Sequence, residues 1–415
     1  MKSVRFLHIA DLHLDSPFIG LKKLPEQIYK RIRESTFQSF TRLISLAIRE
    51  KVDFMIIAGD IFDQENRSIR AQARFRKELQ RLSTHSIQVY IVHGNHDHVG
   101  AEWYEIEWPD HVHVFKSDEV EVKTFTKDLN SRVHIYGFSY PQRAVTENMT
   151  KYYTKKEDAD FHIGILHGSV EGAKEHNQYA PFKVEQLLQK KFDYWALGHI
   201  HKSQVLSNQP LIMYPGNIQG RHRKESGDKG GYIVHLTAED AIPTFHKTAD
   251  IIWEHVSISI NNMSKISELI DHLFQVINGY RKGMEAVFLS IELTGNGELH
   301  PILMDSLVLE DVLHMIQEGE EELENFVYVI SLKVYSQIKI DRESIKSEAS
   351  FLGDLVNIID SYDYTKDAIN PLYGHPIARR FLDELTKAEE EEILKQAEEL
   401  LLNSIYNQRS IGGHS

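Results

Sequence analysis

Apolar residues in this chain fall into short runs, each ended by a small residue and then by residues carrying lone pairs, with helical spacings between the runs. Val4 to Ala10 leads into Asp11-Leu12-His13, Phe54 to Ala58 into Gly59-Asp60-Ile61-Phe62-Asp63, and Val89 to Val92 into His93-Gly94-Asn95-His96-Asp97. A continuous apolar run of β-formers predicts a strand buried on both faces. Between the runs, Ile28, Ile32, Phe40, Leu43, Ile44, Ala47 and Ile48 predict a helix over 25–50, and Ala71, Phe75, Leu79 and Leu82 one over 68–83. Strand and helix in alternation predict right-handed parallel crossovers, hence an α/β layered domain with its chemistry at the carboxyl edge of the strands.

Past residue 100 the pattern shortens. Strands around 111–115, 119–125 and 132–138, separated by turns, read as antiparallel. Buried runs then return: Phe161 to Leu166 before His167-Gly168, Tyr194 to Leu197 before Gly198-His199-Ile200-His201, and Leu211 to Tyr214 before Pro215-Gly216-Asn217, with a short helix over 182–192. From Trp253 the chain reads as strand (Val256 to Ile260), helix (263–280), strand (Ala286 to Leu293), helix (306–318) and strand (Val327 to Val334). From 343 onward it is helical, with Asn370-Pro371 and Gly374-His375-Pro376 as a hinge. A last amphipathic helix over 377–406 carries Ala378, Leu382, Leu385, Leu394, Ala397, Leu401 and Ile405 on one face, suited to docking on its own protein or on a partner helix. The predicted division is 1–250, a smaller α/β unit over 251–340, and a helical region over 341–415.

Composition narrows the chemistry. The 415 residues exceed one ordinary core, and no apolar run approaches the roughly 18 residues of a membrane span. The chain enters a strand at once without a signal-peptide pattern, so a cytoplasmic protein is expected. Cysteine is absent, which excludes disulfides, thiolate metal sites and cysteine nucleophiles. A metal must then be held by imidazole, carboxylate, amide or water; 23 histidines supply the first, and manganese, iron or zinc suits such donors. A net charge of −14 argues against a generic nucleic-acid coat. It leaves room for a local basic groove, and Arg221, Arg223 and Lys224 of the Arg221-His222-Arg223-Lys224 loop are the candidate phosphate contacts, a solvated turn being the competing reading. The basic face Arg70, Arg74, Arg76 and Lys77 of the 68–83 helix reads as solvated surface or groove wall.

The strand ends carry the signal. Alternation puts Asp11 and His13 on one side of the chain, and His199 and His201 likewise. Each triplet alone reads as a solvated turn. Asp11, His13, Asp60, Asn95, His167, His199 and His201 at successive strand ends, each beside a small residue, make that reading improbable and point to metal ligands.

D-x-H, G-D-x-x-D, G-N-H-D, H-G and G-H-x-H in this order resemble the calcineurin-like binuclear metallophosphoesterases, across residues 1 to about 245. The resemblance implies an α/β fold: a four-layer α/β/β/α sandwich with a smaller α/β capping domain and a helical C-terminal segment. It implies two divalent metal ions, manganese foremost, with Asp11, His13, Asp60 and His201 on one and Asp60, Asn95, His167 and His199 on the other. Asp60 would bridge them. By the same resemblance His96 is the proton donor to the leaving oxygen and Asp63 its orienting carboxylate, with Asp97 as the alternative.

Within that superfamily the I-A-D-L-H-L-D-S opening, the I-A-G-D-I-F-D block, the P-G-N turn with R-H-R-K and G-G-Y after it, and the α/β appendage look like the SbcD-like DNA-repair exonucleases, the YhaO-type proteins in particular. This implies a metal-dependent phosphodiesterase acting on DNA, as a homodimer, with an SbcC/SMC-like coiled-coil ATPase engaging the C-terminal helices. Two departures matter: Asp63 stands where archaeal and eukaryotic relatives carry histidine, and Gln64 where phosphoprotein phosphatases carry arginine. A phosphatase or phosphodiesterase on a nucleotide or other small ester is the competing enzymatic reading. A scaffold or ATPase-regulatory subunit is the non-catalytic one, which the full set of ligand candidates disfavours.

Overall fold

Within the described residues the apolar runs become strands and the helical spacings become helices. The computed structural model describes residues 2–18, 21, 24–63, 68–100, 106–117, 119–128, 131–172, 179–338, 342–347, 350–361, 368, 371, 375 and 386–411. The first half runs β1 (Ser3–Ile9), α1 (Glu26–Arg49), β2 (Phe54–Ala58), α2 (Ile69–Ser83), β3 (Gln88–Val92), β4 (Val112–Val114), β5 (Glu121–Asp128), β6 (Ser131–Gly137), β7 (Phe161–His167), α3 (Val184–Gln189), β8 (Tyr194–Gly198), β9 (Gln204–Asn208), β10 (Leu211–Tyr214), β11 (Gly230–Thr237) and β12 (Ala241–Lys247). Ser68 caps α2, its side-chain oxygen accepting from Ala71 N at 3.0 Å.

These strands form two six-stranded sheets, ordered β12-β11-β1-β2-β3-β4 and β5-β6-β7-β8-β10-β9. The reading of three antiparallel strands after residue 100 needs correction. Strand β4 pairs parallel with β3 in the first sheet; only β5 and β6 are antiparallel to each other, and β6 then pairs parallel with β7. A three-residue strand has too few positions to declare its partner by pattern.

Alternating side chains sort the layers. Leu7, Ile9, Met55, Ile57, Val89 and Ile91 face Phe40, Leu43, Ile44, Phe75 and Leu79 of α1 and α2. The opposite faces of the two sheets meet through Phe6, Phe54, Ile56, Tyr90 and Val92 against Phe125, Ile135, Ile163, Ile165, Tyr194 and Met213. The outer face of the second sheet buries Tyr136, Leu166, Trp195, Leu197 and Ile212 with Leu187 of α3 and Tyr153. Helices, sheet, sheet and helix make the four layers.

The core between the sheets tapers. Along β2 the inward residues are Phe54, Ile56 and Ala58; along β8, Tyr194, Ala196 and Gly198; along β3, Tyr90 and Val92, with Gly94 just beyond. Side-chain size shrinks toward the carboxyl edge in each. At the narrow end a Cβ on Gly198 would lie 1.8 Å from the Ala58 carbonyl oxygen, so only glycine admits so close an approach.

His8 spans the same interior, its Nδ1 2.9 Å from Tyr194 Oη and its Nε2 3.2 Å from Leu197 O. Burial lowers its pKa to about 3, so the neutral ring is the folded form. Because the folded value lies below the unfolded one, stability is retained above about pH 6.5 and is lost as pH falls toward 3, by up to about 1.4 kcal/mol per pH unit. Urea unfolding at about pH 7 and about pH 4.5 checks this: His8→Gln, though less stable at neutral pH, is expected to lose about 2–3 kcal/mol less than the unsubstituted protein between the two.

The second half runs β13 (Ile251–Ser259), α4 (Ile266–Tyr280), β14 (Ala286–Thr294), β15 (Asn296–Gly297), α5 (His300–Leu303), α6 (Ser306–Gln317), β16 (Val327–Val334), β17 (Gln337–Ile338), α7 (Arg342–Ser347), α8 (Phe351–Asp360) and α9 (Lys387–Ile411). Strands β13, β14 and β16 make a three-stranded sheet in that order. The chain divides into two compact units, one of residues 1–255, 280–290 and 319–330, the other of 256–279, 291–318 and 331–415. Within the first unit, Phe18, Ile28 and Ile32 pack with Ile251, Trp253, Ala286, Phe288, Phe326 and Tyr328. Arg31 and Arg42 both pair with Asp250, at 2.9 and 2.7 Å. In the second, Ile345, Leu352, Val356 and Leu402 form a small helical core, and Arg342 ties Glu398 at 2.7 Å. Gln64, Asn370, Gly374, Pro376 and residues 377–385 lie outside the described residues, and with them most of the expected hinge and the start of the last helix. Among the described residues no helix is long and apolar enough to cross a membrane.

Candidate metal centre

The strand ends of both sheets meet at the narrow edge of the tapered core. Asp11 and His13 follow β1, Asp60 and Asp63 follow β2, and Asn95, His96 and Asp97 follow β3, all from the first sheet; His167 ends β7, and His199 and His201 follow β8, from the second. The loops are stitched backbone to backbone: Asp11 N donates to Gly59 O at 3.1 Å and His13 N to Asp60 O at 3.0 Å. Asp11 (φ 53°), His13 (43°), Asp60 (51°) and His199 (99°) all sit in left-handed conformations that side-chain-bearing residues rarely adopt. Strain of about 1–3 kcal/mol at each is held by the surrounding structure, as is common where backbone geometry serves a site. Gly59 and Gly94 are required beneath them, since a Cβ would stand 2.2 Å from His167 Nδ1 in the first case and 2.3 Å from Asp60 Oδ1 in the second.

Three imidazoles have their Nδ1 occupied by a group that can only accept. His13 Nδ1 is 2.8 Å from Asp63 Oδ1, His201 Nδ1 is 2.6 Å from Glu225 Oε1, and His167 Nδ1 is 2.9 Å from the Ala58 carbonyl oxygen. Each Nδ1 therefore carries the proton, and each Nε2 presents a lone pair. The Nε2 atoms of His13 and His201 face each other at 3.1 Å. His167 Nε2 faces Asn95 Oδ1 at 3.1 Å and Asp60 Oδ2 at 3.5 Å, and His199 Nδ1 lies 3.2 Å from the same Asn95 oxygen. Asp60 Oδ2 is also 3.9 Å from His13 Nε2, and Asp11 Oδ1 is 3.9 Å from His201 Nε2. Lone pairs converging on lone pairs in a buried site call for positive charge between them, and nitrogen and oxygen donors without sulfur suit a borderline or hard divalent cation. The donor set fits a metal. Among the described residues, Asp11 with His13 and His201, Asp11 with Asp60 and His167, and His13 with Asp63 and His96 each form a cluster able to hold an ion.

The electrostatics agree. Burial opposes the charge on Asp60, yet the neighbouring His167 outweighs it and holds the carboxyl well below the usual range. Burial likewise opposes charge on His167, and Asp60 overrides it, raising the imidazole to about 9. In the metal-free chain a proton thus sits where a divalent ion would displace it. Burial lowers His13, helped by the Arg221 charge, and lowers His201, so both present bare nitrogens. Burial raises Asp11.

Every residue in the expected ligand set is brought to this edge. His96 stands at its mouth with its side chain a third exposed, its backbone N donating to Asp60 Oδ1 at 2.9 Å and its Nδ1 3.2 Å from Asp63 Oδ1. Burial opposes protonation of His96, but the hydrogen bond and charge of Asp63 prevail and raise its pKa. Asp97 braces the loops instead. Its carboxylate accepts from Ile61 N at 2.9 Å and Gly94 N at 2.7 Å and pairs with His93 at 3.0 Å, fixing the segments that carry Asp60 and Asn95. The basic loop splits. Arg223 and Lys224 are exposed, whereas Arg221 turns inward and donates to both Asp63 oxygens at 3.2 Å. Glu225, buried at the end of that loop, is not signalled by any motif. The only clue in the sequence is that each ligand imidazole needs an acceptor at its other nitrogen, and no motif supplies one for His201.

Residues 4–203 match the family of calcineurin-like phosphoesterases. Over 402 residues the chain is 41% identical to the metallophosphoesterase YhaO of Bacillus subtilis (strain 168), covering 97% of this chain and 98% of that one. The chain belongs to the calcineurin-like metallophosphoesterases, hydrolases of phosphoester bonds that work with two divalent metal ions. It is also similar to the DNA double-strand break repair protein Mre11 of Sulfolobus acidocaldarius, 26% identical over 376 residues, with 88% of this chain and 90% of that protein covered. The Mre11 protein of Sulfurisphaera tokodaii is 24% identical over 413 residues, with 95% and 96% covered. These relatives agree with a place in the SbcD/Mre11 branch.

Proposed function

We propose that this chain is a two-metal phosphodiesterase that acts on DNA, as an exonuclease in repair or processing. The observation that carries the reading is the convergence of bare imidazole nitrogens and carboxylates on Asp60, in a chain similar to Mre11 proteins along nearly its whole length. Asp11, His13, Asp60 and His201 would hold one ion and Asp60, Asn95, His167 and His199 the other, manganese being the metal we propose. Two such ions neutralise the phosphate and lower the pKa of water at the site.

The remaining work belongs to the chain. Asp63 accepts from His96 Nδ1 and leaves Nε2 as the nitrogen from which the imidazolium protonates the departing oxygen. His13, then His96 and the Arg221 charge, hold Asp63 anionic against burial, and Arg221 donates to it as well. Arg223 and Lys224, exposed beside the site, are the proposed contacts to the DNA backbone. Homodimerisation, a cytoplasmic location and an SbcC-like ATPase bound through the C-terminal helices complete the proposal, and they rest on the branch similarity. With manganese added, the protein is expected to degrade single- or double-stranded DNA as well as bis-p-nitrophenyl phosphate. Hydrolysis of the small ester alone would move the assignment to a nucleotide or other small phosphoester.

A further inference from the structure

We infer that Glu225 is a positioning residue: one buried carboxylate, at the end of the loop after β10, sets the tautomer of His201 and the placement of Arg221 together. The inference rests on the metal-centre reading above. Glu225 Oε1 lies 2.6 Å from His201 Nδ1 and 3.3 Å from His222 Nε2. Its Oε2 accepts from Arg221 N at 2.7 Å and from Asn217 Nδ2 at 2.9 Å.

Both oxygens therefore meet hydrogen-bond donors, and only a carboxylate satisfies both ends. The consequences run in two directions. Toward His201, the carboxylate takes the Nδ1 proton and leaves Nε2 bare, facing His13 Nε2 at 3.1 Å. Toward Arg221, it anchors the backbone from which the guanidinium reaches Asp63, and Asp63 Oδ1 in turn lies 2.8 Å from His13 Nδ1 and 3.2 Å from His96 Nδ1. His201 thus receives its tautomer from this loop directly, and His13 receives its own from Asp63, which Arg221 of the loop holds. Asn217 and Glu225 are fixed in this loop by more than each other: Asn217 Nδ2 also donates to Gln219 O at 2.8 Å.

Glu225→Gln tests the role with almost no change in shape. A glutamine has one acceptor oxygen, so its amide NH2 must face donors at one end. Turned toward His201, it donates to Nδ1 and drives the proton to Nε2, which closes that nitrogen to metal. Turned toward Arg221, it releases the loop from Asp63. Carboxylate partners of ligand histidines typically control metal affinity by about 10–100-fold. Manganese titration of the full chain by calorimetry, with bound ions counted by elemental analysis, is expected to give two sites in the unsubstituted protein. In Glu225→Gln one site is expected to weaken by about 10–100-fold and the other to stay unchanged. Long-range proton–nitrogen NMR of the metal-free, histidine-labelled protein supplies a readout independent of that variant's folding: His201 is expected to carry its proton on Nδ1.

Two ions bound by Glu225→Gln at unchanged affinity, or a His201 proton found on Nε2 in the unsubstituted protein, would overturn the positioning role alone. An unsubstituted protein that binds no manganese would overturn the metal centre, and this inference with it.

Discussion

Asp60→Asn is expected to cut phosphodiester turnover by at least about 10³-fold and to lower bound manganese from two ions per chain to one or none. Asp60 stands between the two imidazole groups, 3.5 Å from His167 Nε2 and 3.9 Å from His13 Nε2. An asparagine of the same shape keeps the acceptor for His96 N but turns an NH2 toward those nitrogens. The amide then fills the space with a donor, removes a full negative charge from beside the imidazoles, and leaves nothing to be shared. Hydrolysis of bis-p-nitrophenyl phosphate together with elemental analysis of the dialysed protein reads both effects. Two ions retained at the original affinity would mean that Asp60 is not the bridge.

His96→Asn is expected to separate rate from binding. Turnover on DNA should fall by about 10²–10⁴-fold while both ions stay bound, because His96 reaches the site through Asp63 and Asp60 rather than as one of the proposed ligands. The deficit should shrink on p-nitrophenyl esters, whose leaving oxygen departs without a proton. The pH profile carries the sign. With its pKa raised by Asp63 against the effect of burial, the imidazolium extends to higher pH than that of an ordinary histidine and is lost as pH rises past the raised value. The unsubstituted enzyme therefore slows on that basic side, and the variant should lack this limb. Equal losses on activated and unactivated esters would assign the proton to another group.

The strand ends were legible because the chemistry lies in sequence directly after the burial signal. Phe54-Met55-Ile56-Ile57-Ala58 declares a strand, Gly59 a turn, and Asp60 the carboxylate that the strand delivers; the same grammar recurs at His167 and His199. The acceptors that set each imidazole's tautomer were only partly legible. Asp63 is three residues from Asp60 and could be found by proximity. Glu225 lies 24 residues beyond His201 in a loop whose visible character is basic, and the Ala58 carbonyl that holds His167 has no side-chain signature at all. Sheet membership was hidden for the same reason. That β4 extends the first sheet while β5 begins the second, and that β11 returns to pair with β1, are facts about distant partners, which a local period does not encode.

The taper of the inter-sheet core makes the distance between the two groups of donors a matter of volume. Ala58 and Ala196 act as the thin shims of the sandwich: they decide how far Asp11, Asp60 and Asn95 stand from His167, His199 and His201, although neither carries a donor atom in its own side chain. Adding two methyl groups at Ala196 would pry the sheets open at the edge where the cage closes, whereas similar bulk at the wide end, beside Phe6 or Phe54, would be felt mainly as misfit. The aperture of the catalytic edge is therefore calibrated from inside the protein, by residues that a search for reactive groups passes over.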